Sequence, residues 1–322
     1  MKVTSTRWYE TEKKDYNAIL AELLNNESNS FNTKDTTRTF YRNISTEKLN
    51  SEPQYFYLDG EETNYDIISF SYDKVRTLEE SLVATSEEIS NTDTGFIIVY
   101  THKGYVNYII NKHSGALLTI RRLLNYTPKN REAIVDNMVN ITSDFFIWLI
   151  YKVYNNNSIF KKNSNNSGEQ QIDQLIVESV VGFKGNSDDE ISRITADGNT
   201  VMNLISSLTF LLESNNLEFI KINIQYKDHK DIIFRLNTNG SIMLDLKDYI
   251  GPHKSKRETE IDGIIESSKT LLLVYHDILP LIAYWYTTEK DEEEWGSDVY
   301  EEFLESLSTD IKGRIDNLKS NK

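Results

Sequence analysis

The stretch Leu217–Lys247 (LEFIKINIQYKDHKDIIFRLNTNGSIMLDLK) constrains the fold more than any other part of the chain. Ile222, Ile224 and Tyr226 alternate with Asn223 and Gln225, the period of a strand with one buried and one wet face. Two further runs follow, Asp231–Leu236 and Ser241–Lys247. They are joined by Asn237-Thr238-Asn239-Gly240, and Asn-Gly accepts the positive φ of a tight hairpin turn. Three strands with short connections imply an antiparallel meander.

The same signals recur upstream. Gly95–Tyr100 and Tyr105–Ile110 are strands around the turn Thr101-His102-Lys103-Gly104, and Ala116–Leu124 is a helix stopped by Thr127-Pro128. Gln54–Leu58 and Ile67–Tyr72 flank Asp59-Gly60 as a hairpin. Residues 13–25 predict an amphipathic helix, 26–38 a polar loop, and Leu78–Ser90 a helix with Glu79, Glu80, Glu87 and Glu88 on its wet side. Gln174–Phe183 is a strand, and Thr200 is the N-cap of a helix over Val201–Leu212. From Glu260 the pattern is mainly helical. The predicted class is α+β, with antiparallel sheets in two halves and a helical C-terminal region. Asn155–Gln171, with one apolar pair among Asn, Ser and Lys, predicts a linker. Residues 1–154 and 172–322 are then the two domains, with 155–171 between them.

Composition narrows the chemistry. The 322 residues are 39% hydrophobic, enough to bury a core. With no cysteine, the chain has no disulfide framework, thiolate metal site or cysteine nucleophile. No apolar run has signal-peptide or membrane-span length, so the expected location is cytoplasmic. No G-x-S-x-G, Walker A or G-x-G-x-x-G pattern occurs, and no cofactor is expected.

The net charge of −15 is unevenly distributed. Residues 101–162 carry nine bases against three acids, a net +6, which leaves −21 for the remainder. Local field governs polyanion binding more than net charge. The candidate nucleic-acid contacts are Lys103, Lys112, Arg121, Arg122, Lys129 and Arg131, with Tyr105, Tyr108 and Tyr126 available for stacking. A second cluster, His253, Lys254, Lys256 and Arg257, extends the set. The acidic run Asp291–Glu294 with Glu301, Glu302 and Glu305 reads as a solvated helix face, or as a cover for the basic block.

Asp231, Asp245 and Lys247 offer an alternative. If the hairpin turn centres between Thr238 and Asn239, Asp231 faces Leu246 and lies close to Asp245. The order helix, strand, strand with Asp, strand with Asp-x-Lys resembles the PD-(D/E)xK nuclease core. That resemblance implies Mg²⁺ or Mn²⁺ held by Asp231 and Asp245, with Lys247 positioning the attacking water and Glu213 as the added helix carboxylate. The residue before Asp231 is Lys230 rather than that family's proline. A solvent-facing sheet edge would carry the same residues. Asp188, Asp189 and Glu190 read as a solvated turn.

In its order of parts the chain also resembles the soluble RexA-type proteins of phage-exclusion systems. The parts are the early hairpin, the unit GFIIVYTHKGYVNYIINKHSGALLTIRRLL, then the strand leading into GFKGNSDDEISR, a helix, a sheet and a helical end. The resemblance implies a cytosolic, DNA-binding protein of abortive infection that signals to a membrane partner. A non-enzymatic role and a homo-oligomer are expected alongside it. Three functions follow as expectations: a nucleic-acid-binding defence protein, a metal-dependent nuclease, or a protein–protein adaptor.

Overall fold

The computed structural model describes residues 2–25, 39–52, 54–58, 60–78, 87–126, 132–137, 141–164, 171–186, 193–198, 201–213 and 216–320. The fold is α+β, with antiparallel strand pairing and a helical C-terminal region. Two compact units divide the chain. One comprises Thr4–Met138 with Arg257–Ser268, the other Val139–Lys256 and Lys269–Lys322 with Met1–Val3.

The first unit holds β1 (Lys2–Glu10), of which residues from Thr4 onward belong to it, α1 (Tyr16–Leu23), β2 (Thr39–Lys48), β3 (Gln54–Leu58), β4 (Glu61–Leu78), β5 (Glu87–His102), β6 (Tyr105–Ile110), α2 (Ala116–Leu123) and β7 (Ile134–Asp136). The strand order is β1-β6-β5-β4-β2, with β3 on β4 and β7 on β1. Asp15 caps α1 by accepting from Ala18 N at 2.8 Å. Ile19 and Leu23 of α1 and Ile120 and Leu123 of α2 pack on Phe70, Ile97, Val99 and Tyr108 of the sheet. Lys103 (φ 52°) and Gly104 (φ 81°) are both left-handed, as a two-residue hairpin turn of the primed kind requires.

The expected helix over Leu78–Ser90 is not formed at its described ends. Leu78 closes β4, and Glu87–Ser90 open β5, with Leu78 opposite Glu87 and Val75 opposite Ser90. Continuation of a long two-strand ladder overrides the local helix preference of the glutamates. Residues 79–86, 26–38 and Thr200 lie outside the described residues.

The second unit holds α3 (Ser143–Tyr154), β8 (Ile159–Ser164), β9 (Gln171–Asn186), β10 (Arg193–Asp197), α4 (Ile205–Glu213), β11 (Asn216–Tyr226), β12 (His229–Asn237) and β13 (Ile242–Asp245). After α5 (Glu260–Leu273), whose residues from Lys269 belong here, come α6 (Leu279–Asp291) and α7 (Ser297–Ser320). The sheet order is β10-β9-β11-β12-β13, with β8 on β9. Ile220, Ile222 and Ile224 share its buried face with Phe234, Leu236 and Leu244.

The unit boundary falls at Met138–Val139, ahead of the expected linker, because the aromatic block is core of the second unit. Trp148 is fully buried, packs on Phe160 and Tyr286, and donates to Glu289 Oε2 at 2.8 Å. Buried Lys152 bonds the other Glu289 oxygen at 2.6 Å. The predicted linker contains β8, since Phe160 drops into this core at 1% exposure. Among the described residues no helix is long and apolar enough to cross a membrane.

Candidate anion-binding site

The basic block is divided between the units, and most of its described charges have internal partners. Lys112 pairs with Asp93 and lies over the rings of Phe70 and Tyr72. Burial pushes the Asp93 carboxyl up, but hydrogen bonds from Lys112 and Tyr72 outweigh this and hold it below its usual range. An Arg121 guanidinium nitrogen donates to the Ile134 carbonyl at 3.3 Å. Arg122 stacks 3.7 Å from the Tyr41 ring centroid. Lys152 is locked to Glu289, and Arg257 makes a two-pronged contact with Glu266 at 2.8 and 2.5 Å. Lys254 and Lys256 are exposed in the segment after β13, and Lys161 is exposed on β8. Exposed Lys103 lines a cavity of about 650 Å³, but Glu61 and Glu62 share its wall and oppose an anion. Lys129 and Arg131 lie outside the described residues.

The carboxylate set is partly assembled. The turn closes one residue later than expected. Asn237 N donates to Ser241 O at 3.0 Å, and Gly240 (φ 74°) takes the left-handed position of a three-residue loop. Asp245 therefore faces Ile233 rather than Ile232, the neighbour of Asp231. Asp231 is held by Asn223 Nδ2 at 3.2 Å, and Asn223 is the other cross-strand neighbour of Ile233. Ile233 thus separates the two carboxylates. Asp245 pairs with Lys2 at 3.6 Å and accepts from the Lys247 backbone N at 3.3 Å. Glu213 ends α4, whose Phe210 stacks on Phe183 at 5.9 Å. Phe183 faces buried Ile220, so Glu213 belongs to the opposite side of the sheet. Among the described residues no three metal-ligating side chains are grouped to hold an ion.

Asp231 has a different role. It has φ 53° and sits where β11 and β12 slip by one residue, Tyr226 facing His229 but Ile224 facing Ile232. This is a β-bulge, and Asp tolerates the left-handed conformation better than most residues. Beyond the bulge, Lys221 lies directly opposite Arg235. Gly182 flanks Lys221 on the far side, and Met243 flanks Arg235.

This row, Gly182–Lys221–Arg235–Met243, forms the candidate site on the open face of the sheet. With no side chain at Gly182, a cavity of about 190 Å³ opens beside it, also lined by Lys2, Phe219 and Asp245. The Arg235 guanidinium lies over Phe219, 4.8 Å from the ring centroid. Its Nε is buried with no hydrogen-bond partner among the described residues. Directly opposed like charges destabilise a sheet by about 0.2–1 kcal/mol. A buried unsatisfied donor costs about 1–3 kcal/mol more. An oxyanion between Lys221 and Arg235 relieves both terms, and the planar guanidinium matches phosphate geometry. The linear sequence conceals this pair, because it depends on the bulge register. Its only trace is that both residues fall in the polar phase of their strands. Compared with protein-family models and with curated protein sequences, the chain matches none.

Proposed function

We propose that this chain binds single-stranded nucleic acid across the open sheet face of β11–β13, with a backbone phosphate held between Lys221 and Arg235. The observation that carries this reading is their direct opposition, combined with the buried, unsatisfied Nε of Arg235. Asn223, Gln225 and Asn237 lie in the polar phase of the same strands and offer hydrogen bonds along the face. Sheet surfaces with cations and an aromatic residue suit unpaired strands, whose phosphates and bases are both accessible. The role is binding rather than cleavage. The wider assignment to phage exclusion has the order of elements as its sole support.

Fluorescence anisotropy of the full chain with oligo-dT and oligo-rU over a salt series tests the proposal. Losing the one phosphate that the two cations share should lower the magnitude of the log K against log salt slope by about 0.7, the value per neutralised phosphate for single strands. Lys221→Gln with Arg235→Gln is the variant to use. An unchanged slope and affinity in that variant would sink the idea.

A further inference from the structure

A second cavity, of about 310 Å³, lies wholly within the second unit between the start of α3 and one face of α6. Its walls are mainly apolar, Ile141 and Phe145 from one side and Leu279 and Ala283 from the other, with Thr142 and Thr287 as the polar side chains besides Tyr286 and Lys290. Ile141, Phe145 and Leu279 are each 4–6% exposed. Leu279, Ala283, Tyr286 and Lys290 fall on one helical stripe. That stripe begins immediately after a π-helical turn, Val274–Ile278, a backbone irregularity that recurs at functional sites. The volume equals roughly ten waters at about 30 Å³ each, and ordered water needs two to four polar partners. Apolar walls provide few, so an apolar group gains affinity by displacing that water.

The polar end is chemically selective. Among the described residues Lys290 is the one charged side chain in the lining. Of its three donors, one reaches Asp144 at 3.1 Å and one Tyr286 Oη at 3.3 Å, which leaves a third. Asp144 is itself committed, accepting from Tyr286, Lys290 and Trp295 Nε1. We propose that this cavity binds a small monocarboxylate with an apolar body. The body lies among Ile141, Phe145, Leu279 and Ala283, and the carboxylate meets the remaining Lys290 donor. Among the described residues no carboxylate lines the cavity to receive an amine.

Isothermal titration of the full chain with 4-phenylbutyrate, 4-phenylbutan-1-ol and 4-phenylbutylamine tests this. The acid should bind, the alcohol should bind more weakly, and the amine should not bind. Lys290→Gln, at an exposed position, should weaken the acid at least tenfold and leave the alcohol unchanged. Ala283→Trp should abolish binding of both acid and alcohol while the thermal transition stays cooperative. Should the Ala283 variant fail to fold, the Lys290→Gln comparison decides alone. No heat from the acid at millimolar concentration, equal binding of the amine, or an unchanged acid affinity in Lys290→Gln would each overturn the proposal.

Discussion

The cations of the basic block in the first unit and the Lys221–Arg235 pair on the open sheet of the second are placed in opposite ways. In the first unit Lys112, Arg121, Arg122 and Arg257 each contact a carboxylate, a carbonyl or a ring of that same unit. On the open sheet of the second unit, Lys221 and Arg235 are placed opposite one another. A count of charge along the chain ranks the first group higher. The geometry reverses that order, because two cations held directly opposite one another offer a shared site to a single oxyanion.

The comparison can be attacked from several directions. The largest effect should come from a third arrangement, the buried pair of the second unit. Lys152→Met leaves Glu289 buried with only the Trp148 hydrogen bond, and stability should fall by about 3–5 kcal/mol in urea denaturation. A loss below 1 kcal/mol would mean that this pair is not the buried contact described. Next, Arg122→Gln removes a cation–π contact with Tyr41 and should cost about 0.5–2 kcal/mol while leaving oligonucleotide affinity unchanged. A tenfold drop in affinity with intact stability would restore the basic block as the binding surface. Lys221→Gln should show the reverse pattern, weaker binding with stability within about 1 kcal/mol of the parent, since a like-charge opposition is relieved.

The smallest effect concerns pH. Burial lowers the pKa of His229, whose Nδ1 lies 2.7 Å from Tyr249 Oη and whose ring is 4.6 Å from that of His253. Asp228 opposes that shift and Lys227 adds to it. The unfolded chain therefore binds the proton more readily than the folded one. The sign follows: stability from this group is complete above about pH 6.5 and declines as pH falls from there towards the depressed folded value. Protection of the amides of residues 249–254 against hydrogen exchange, relative to the intrinsic rate at each pH, should fall between pH 7 and pH 5, and His229→Gln should flatten that response. Equal loss of protection in the variant would assign the effect to another group.

Much of the fold is legible in the chain itself. Alternation locates β11, β12 and β13, which have one buried and one wet face, while turn residues bounding continuous apolar runs locate β5 and β6, whose central residues are buried on both faces. The Glu-rich segment after Leu78 misleads, since the long ladder of β4 with β5 is a tertiary event without a local signature. The polar run after Asn155 misleads for the opposite reason, as a single phenylalanine at position 160 decides which side of β8 enters the core. The site was legible only in part. Asp231, Asp245 and Lys247 do belong to the relevant sheet region, but their roles depend on register. Lys221 and Arg235 become partners only through a slip of one residue, which no local pattern announces.

The conformation at Asp231 also sets how this surface tolerates change. Were the chain intact but the bulge not formed, the spacing from the Tyr226–His229 turn would place Lys221 opposite Phe234, a core side chain. Deleting position 231 would instead remove the bulge together with its carboxylate, since two steps would then separate His229 from Ile232, as two separate Tyr226 from Ile224. Arg235 would stay opposite Lys221, and Phe234 would stay on the buried face. Asp231→Gly likewise keeps the left-handed backbone accessible and leaves the later residues in phase. The chain can therefore change the chemistry at 231, or lose the position, without shifting the sheet, whereas a deletion within Ile232–Leu236, where no bulge absorbs it, puts side chains on the wrong face and should be the lethal class.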